Sequence, residues 1–259
     1  MRLKLKLMIT LIVVGILVFS FTIVSAGAEA KGNDNDDKGK LENMVIKYYA
    51  KPDSPPGLDK PPKPGDDTGS YTFIAKGMKW KTLPVNYVIN PTNSYELAES
   101  FVLDAISTAA ETWDDATSTE LVNDVYTVSY TRTAGTRDDY NVISFGNYPE
   151  EGVIGVCSIW DYNLGKPSTR EIVEFDILLD IDFPWGYAGE TSEDTLGDTS
   201  IMDIQNIVTH EFGHGLGLGD LYDTSTSEET MYGYSTEGET KKRTLNSGDI
   251  AGIAELYSE

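Results

Sequence analysis

The stretch Thr209–Asp220 reads THEFGHGLGLGD. His210 and His214 stand four residues apart, so a helix carries both on one face, one turn above the other. Two imidazoles so arranged can ligate one ion, and zinc accepts such nitrogens at about 2.0–2.1 Å. Glu211 lies about 100° round the helix from His210, where its carboxylate reaches a water on the ion without being a ligand. A carboxylate in that position accepts a proton as water attacks a carbonyl and returns it to the leaving amine. Catalytic zinc requires a third protein ligand and an open fourth position, and the chain has no third histidine. Gly217 tolerates φ > 0 and permits a sharp exit from the helix. Such a turn brings Asp220 back towards the metal, with Asp223, Glu228 and Glu229 as competing carboxylates.

Around the motif, Ile201, Ile204, Ile207, Val208 and Phe212 supply an apolar stripe for a helix over 200–215, capped by Asp198 or Ser200. An earlier helix is expected over 96–117, where Val102, Ile106, Ala109, Ala110 and Trp113 recur at helical spacing. Residues 82–90, 121–132, 140–146, 152–160 and 170–182 are strand-like, and a terminal helix starts near Ser247 as its N-cap. Strands and one helix, then a metal helix and a small tail, imply an α+β domain split by a cleft. If residues 170–182 form an exposed edge beside the metal, an extended peptide can add to that edge as a further strand.

The N-terminus reads as an export signal over residues 1–28. Arg2, Lys4 and Lys6 precede an apolar run over 7–24, and small residues follow. That run is also long enough for an uncleaved membrane anchor, and either outcome leaves the remainder outside the cytoplasm. Residues 29–70 read as a linker, stalk or propeptide. The stretch 51–69 carries six prolines, and 41–50 (LENMVIKYYA) is a short strand or docking segment between two such stretches. With 42 acidic against 20 basic residues and a net charge of −22, nucleic acid is excluded as a partner. The lone cysteine, Cys157, sits in an apolar run and reads as a buried structural residue. A Cys–His or serine-based mechanism would have to borrow one of the paired histidines.

HEFGHGLGLGD resembles the extended zinc signature of the metzincin metallopeptidases, HExxHxxGxxH, with aspartate in the third ligand place. In that substitution it is similar to the snapalysin group. Met231, in ETMYGY, falls where the family's methionine turn is expected. The segment order is similar to a matrixin catalytic domain. WKTLPVNYVI stands as first strand, AISTAAETW in the first helix, NVISFG as a middle strand, IVEFDILLD as the edge strand and LNSGDIAGIAELY as the terminal helix. The resemblance covers residues 71–259 as the catalytic domain. It implies a twisted mixed sheet with two main helices in an upper subdomain, a zinc cleft, and a small C-terminal subdomain ending in a helix. It also implies His210, His214 and Asp220 as zinc ligands, Glu211 as base, Gly217 as the turn and Met231 as a hydrophobic floor. Two departures stand out: no histidine remains for a second zinc site, and Cys157 lies inside the domain, not ahead of it where a latency cysteine belongs.

The expectation is therefore a secreted, monomeric zinc endopeptidase acting on proteins or peptides, with Tyr232 and Tyr234 beside its specificity pocket. Glu190–Asp198 clusters four carboxylates that can hold calcium, a solvated loop being the alternative. Two other readings stay open: a gluzincin-like peptidase with a downstream Glu as third ligand, and a surface binding module with a structural zinc.

Overall fold

Near-continuous apolar runs and buried carboxylates set the layout of the sheet against which the metal-binding helix packs. In the computed structural model, residues 40–51, 70–163, 166, 169–189 and 198–258 are described. The expected export segment, most of the expected linker and residues 190–197 of the acidic loop lie outside them. Nine strands follow in chain order: β1 (Lys40–Ala50), β2 (Val88–Asn90), β3 (Thr127–Val128), β4 (Val142–Gly146), β5 (Val153–Asn163), β6 (Glu171–Asp180), β7 (Trp185–Gly186), β8 (Met202–Asp203) and β9 (Tyr234–Ser235). The helices are α1 (Glu99–Asp114), α2 (Ile204–Gly215) and α3 (Ser247–Tyr257). Seven strands form one mixed sheet in the order β3-β2-β4-β6-β5-β1-β9, and β7 pairs with β8 apart from it. The mixed sheet with its helices is the α+β, metzincin-like architecture that the sequence implied. Among the described residues no helix is long and apolar enough to cross a membrane.

Residues 170–182 do not form an edge. β6 lies between β4, to which it runs parallel, and β5, to which it runs antiparallel. Three of its four acidic residues are buried and satisfied by backbone N–H groups. Glu174 accepts from Asp138 and Asp139, Asp176 from Gly135 and Val142, and Asp180 from Tyr148 and Asp182. Such bonds let carboxylates sit inside a sheet at tolerable cost.

β1 covers the outer edge of β5, antiparallel to it, and joins β9 in parallel through Tyr49 and Ala50. Residues 41–50 are thus a strand of the main sheet, and the folded body begins well ahead of Tyr71.

α1 and α2 pack together, with Trp113 fully buried and its indole N–H donating to the Thr209 carbonyl at 2.8 Å. The start of α2 is later than expected. Asp203, not Asp198 or Ser200, is the N-cap, accepting from the Asn206 N–H at 2.8 Å, while Met202–Asp203 is spent on β8. In α3 the cap is Asn246, not Ser247, in a reciprocal capping box with Asp249.

Asp176 gives the fold a pH signature. Burial lifts its carboxyl to about 7, against the backbone bonds from Val142 and Gly135 that pull it down. A folded-state value above the unfolded one (near 3.9) means the stabilisation is complete below about pH 4 and is lost as pH rises through about 7. Urea unfolding at pH 4 and at pH 7.5 should show a smaller loss across that window in Asp176→Asn than in wild type. Equal losses would remove Asp176 from the pH dependence.

Candidate metal centre

α2 delivers the motif by an ordinary helix geometry and ends it with a glycine turn. Gly217, at φ 111°, takes the left-handed position just past the helix. Its N–H donates to the His214 carbonyl and that of Leu218 to the Gly213 carbonyl, both at 2.9 Å, the paired bonds of a Schellman ending. A β-carbon here would lie 2.4 Å from the Met78 carbonyl oxygen, so glycine is required on two counts. The last carbonyls of the helix region are also met. Trp80 donates its indole N–H to Gly215, and Tyr257 its hydroxyl to Leu216.

The turn brings three side chains together. Among the described residues, His210, His214 and Asp220 form the one group of at least three His, Cys, Asp or Glu residues whose ligand atoms converge, all within 4.8 Å of one another. Both ring orientations are fixed from behind. His210 Nδ1 lies 2.7 Å from the Thr230 carbonyl oxygen, and His214 Nδ1 lies 2.9 Å from that of Leu218. A carbonyl only accepts, so each Nδ1 carries the hydrogen and each neutral ring turns an Nε2 lone pair inward. The two Nε2 atoms are 3.1 Å apart, and Asp220 Oδ1 is 3.3 Å from each. A tetrahedral ion with bonds of 2.0–2.1 Å spaces its ligand atoms by roughly 3.3 Å. Tyr222 steadies the aspartate by donating its hydroxyl to Asp220 Oδ2 at 3.1 Å.

Electrostatics follow from burial. Both histidines are fully buried. Burial pulls His210 down to about 4. In His214 the same burial is outweighed by the Asp220 carboxylate, which lifts it to about 9 and is itself held well below the usual range. Glu211 is fully buried, and neither of its carboxylate oxygens has a hydrogen-bond partner. Burial raises it to about 8.

The competing carboxylates are engaged elsewhere. Asp223 accepts from the Ser225 N–H, Glu228 pairs with Lys241, and Glu229 accepts from the N–H groups of Gly248 and Asp249. Met231 is buried against Gly213, at which a β-carbon would meet the methionine sulfur at 2.3 Å. Tyr232 and Tyr234 lie in edge-on contact with each other, and Tyr234 also with Tyr222.

Three participants escaped the sequence reading. Gly155 of β5 faces Glu211, where a β-carbon would stand 2.6 Å from Oε1. Tyr48 of β1 stacks on the His210 ring, with centroids 3.6 Å apart and planes 8° from parallel. Asp249, fully buried, accepts from the N–H groups of Thr230 and Met231 and so holds the carbonyl that orients His210. Glycines in strands and tyrosines in a remote segment carry no local signal of such roles.

Comparison with known proteins agrees with this geometry. The family model described as Matrixin matches residues 79–258. The chain belongs to the matrixin family. It is similar to Metalloendoproteinase 2-MMP of Arabidopsis thaliana, at 28% identity over 189 residues, covering 72% of this chain and 45% of the relative. It is similar to Matrix metalloproteinase-18 of Xenopus laevis, at 27% over 230 residues, covering 85% and 43%. Metalloendoproteinase 1 of Glycine max is 29% identical over 192 residues, covering 72% and 55%. This matrixin thus matches less than half the length of the first two relatives. Membership implies a catalytic zinc ion, and the donor set fits one: two Nε2 atoms and an otherwise unpartnered Asp220 oxygen converge, and zinc would displace the proton that Asp220 favours on His214.

Zinc added to metal-free protein should raise the melting temperature, by roughly 2.7 kcal/mol of stabilisation at a hundredfold excess over Kd. In Asp249→Ala the Thr230 carbonyl loses its support, and zinc affinity should fall about 10- to 100-fold. Calorimetric titration reads both, and an unchanged affinity would separate Asp249 from the metal centre.

Proposed function

We propose that this matrixin is a secreted zinc-dependent endopeptidase in which His210, His214 and Asp220 hold the ion and Glu211 is the general base. The observation that carries the reading is the unpartnered Glu211 carboxylate buried beside three convergent ligand atoms. A structural zinc site has no use for such a group, which costs free energy to bury unpaired. That argues against a binding module, and the engaged positions of Glu228 and Glu229 argue against a gluzincin-like third ligand.

Zinc, when bound, supplies a Lewis acid that polarises the scissile carbonyl and acidifies a water. The chain's residues do the rest. Thr230 and Leu218 keep the two Nδ1 hydrogens in place, so both Nε2 atoms stay available. Glu211, with burial lifting its carboxyl to about 8, can hold a proton taken from water and return it to the leaving nitrogen near neutral pH. Gly155 leaves the room that the carboxylate occupies. Gly217 supplies the turn, and Met231 the apolar floor.

The substrates proposed are proteins or peptides, held in extended form, with Tyr232 and Tyr234 near the pocket. The catalytic domain is assigned to residues 71–259 with β1 added, residues 1–28 to export or anchoring, and the Pro-rich part of 29–70 to a propeptide or stalk. The expected state is an extracellular monomer, and the Glu190–Asp198 loop is the candidate for calcium.

Casein hydrolysis should fall by about a thousandfold in Glu211→Ala with zinc content unchanged. Retained hydrolysis would end the assignment of the base. Gly155→Ala should displace the same carboxylate and lower kcat by about a hundredfold, again with zinc bound. A variant as fast as wild type would show that β5 does not position Glu211.

A further inference from the structure

The segment after Met231 carries a lysine in a place where charge is costly to keep. Among the described residues, Lys242 is the one lysine or arginine that is buried, and it is buried completely. An ammonium taken out of water persists only where its hydrogens meet acceptors and its charge is paired. Two of its three hydrogens go to main chain, to the Tyr232 carbonyl at 2.8 Å and the Tyr234 carbonyl at 2.6 Å. Glu239 balances the charge at 3.3 Å. The backbone N–H of Lys242 donates to Asn206 Oδ1 at 2.8 Å, which roots the residue on α2, the helix that carries both histidines.

The third hydrogen is spent on a phenol that lies against the metal centre, the hydroxyl of Tyr48. The Tyr48 ring is fully buried and lies flat on His210, 3.6 Å away and 8° from parallel. The span from the His210 ring to the ammonium is therefore one phenol long, with a flat face for the ring and a donor for its oxygen. A lysine that only tied the loop together would need no more than the two carbonyls. The remaining donor is aimed along the slot beside His210 and reads the side chain that fills it. Phenylalanine or leucine in the slot leaves a buried, charged N–H unpaired, which costs more than the bond itself stabilises. A carboxylate there is a second negative charge, beside Glu239, on a single ammonium.

We propose that Lys242 sets the specificity of the cleft, its ammonium selecting peptides with a tyrosine next to the bond that is cut over those with phenylalanine, leucine or glutamate there. The proposal rests on reading the cleft as that of a peptidase. A site built to hydrogen-bond a substrate hydroxyl rejects the analogue lacking it far better than an apolar pocket separates two hydrocarbons. Tyr232 and Tyr234 then contribute through the carbonyls that hold the ammonium, and Asn206 and Glu239 are positioning residues.

The test uses the zinc-loaded full chain carrying Glu211→Ala, so that bound peptide survives, and Tyr48→Ala, which empties the slot. Fluorescent alanine-based peptides with a single tyrosine, phenylalanine, leucine or glutamate are titrated into it. The tyrosine peptide should bind at least about tenfold more tightly than each of the others, as a hydrogen bond from a charged donor allows. Adding Lys242→Met should bring the tyrosine and phenylalanine peptides to equal affinity. Equal affinity for those two peptides while Lys242 is present, no binding of the tyrosine peptide, or a preference that survives Lys242→Met would overturn the proposal. The comparison of peptides needs no change at Lys242, so it decides the matter even where the methionine chain fails to fold. With Glu211 restored, cuts in casein mapped by mass spectrometry should fall beside tyrosine. Cuts that ignore tyrosine sink the role of Lys242 and spare the peptidase. A binding preference without any cleavage sinks the peptidase and spares the Lys242 slot.

Discussion

Three electron-pair donors, each aimed at the same point and about 3 Å from the others, repel one another unless a cation lies between them. That constraint organises the molecule. It explains why both imidazoles are pinned from behind by carbonyl oxygens and why Asp220 is steadied by Tyr222. It also explains why the helix carrying the histidines is locked at both ends, by Asp203 at its start and by the Gly217 turn at its close. The surrounding core, from Trp113 on α1 to Phe175 on β6, is what makes those positions rigid.

The chemistry was legible where it is local. Spacing of four puts His210 and His214 on one helical face, and a glycine three residues further on is a physical reason for a turn, so the convergence of Asp220 follows from sequence. The helices too announce themselves through periodic apolar residues, with ends displaced by a few positions because a cap is a matter of local geometry. Asp203 and Asn246 won over Asp198 and Ser247 since each aims an oxygen at free N–H groups.

What the sequence concealed is non-local. β6 was expected at an edge because IVEFDILLD is similar to the family's edge strand, and only the fold reveals that β4 and β5 flank it on both sides. β1 was legible as a short strand or docking segment, but its place in the main sheet was hidden. It is mostly half-buried, lies between two unstructured-looking stretches and finds its partner strand more than a hundred residues away. Gly155 matters through the side chain it lacks, and nothing in a strand marks a glycine that makes room for a carboxylate.

The bond from Asp249 to the Thr230 loop has a consequence for biosynthesis. The motif helix leaves the ribosome well before α3, yet the carbonyl that orients His210 is fixed by Asp249 on α3. A chain that has not yet formed α3 therefore possesses both histidines without a finished centre. The ligand geometry is completed only once α3 has docked against the Thr230 loop.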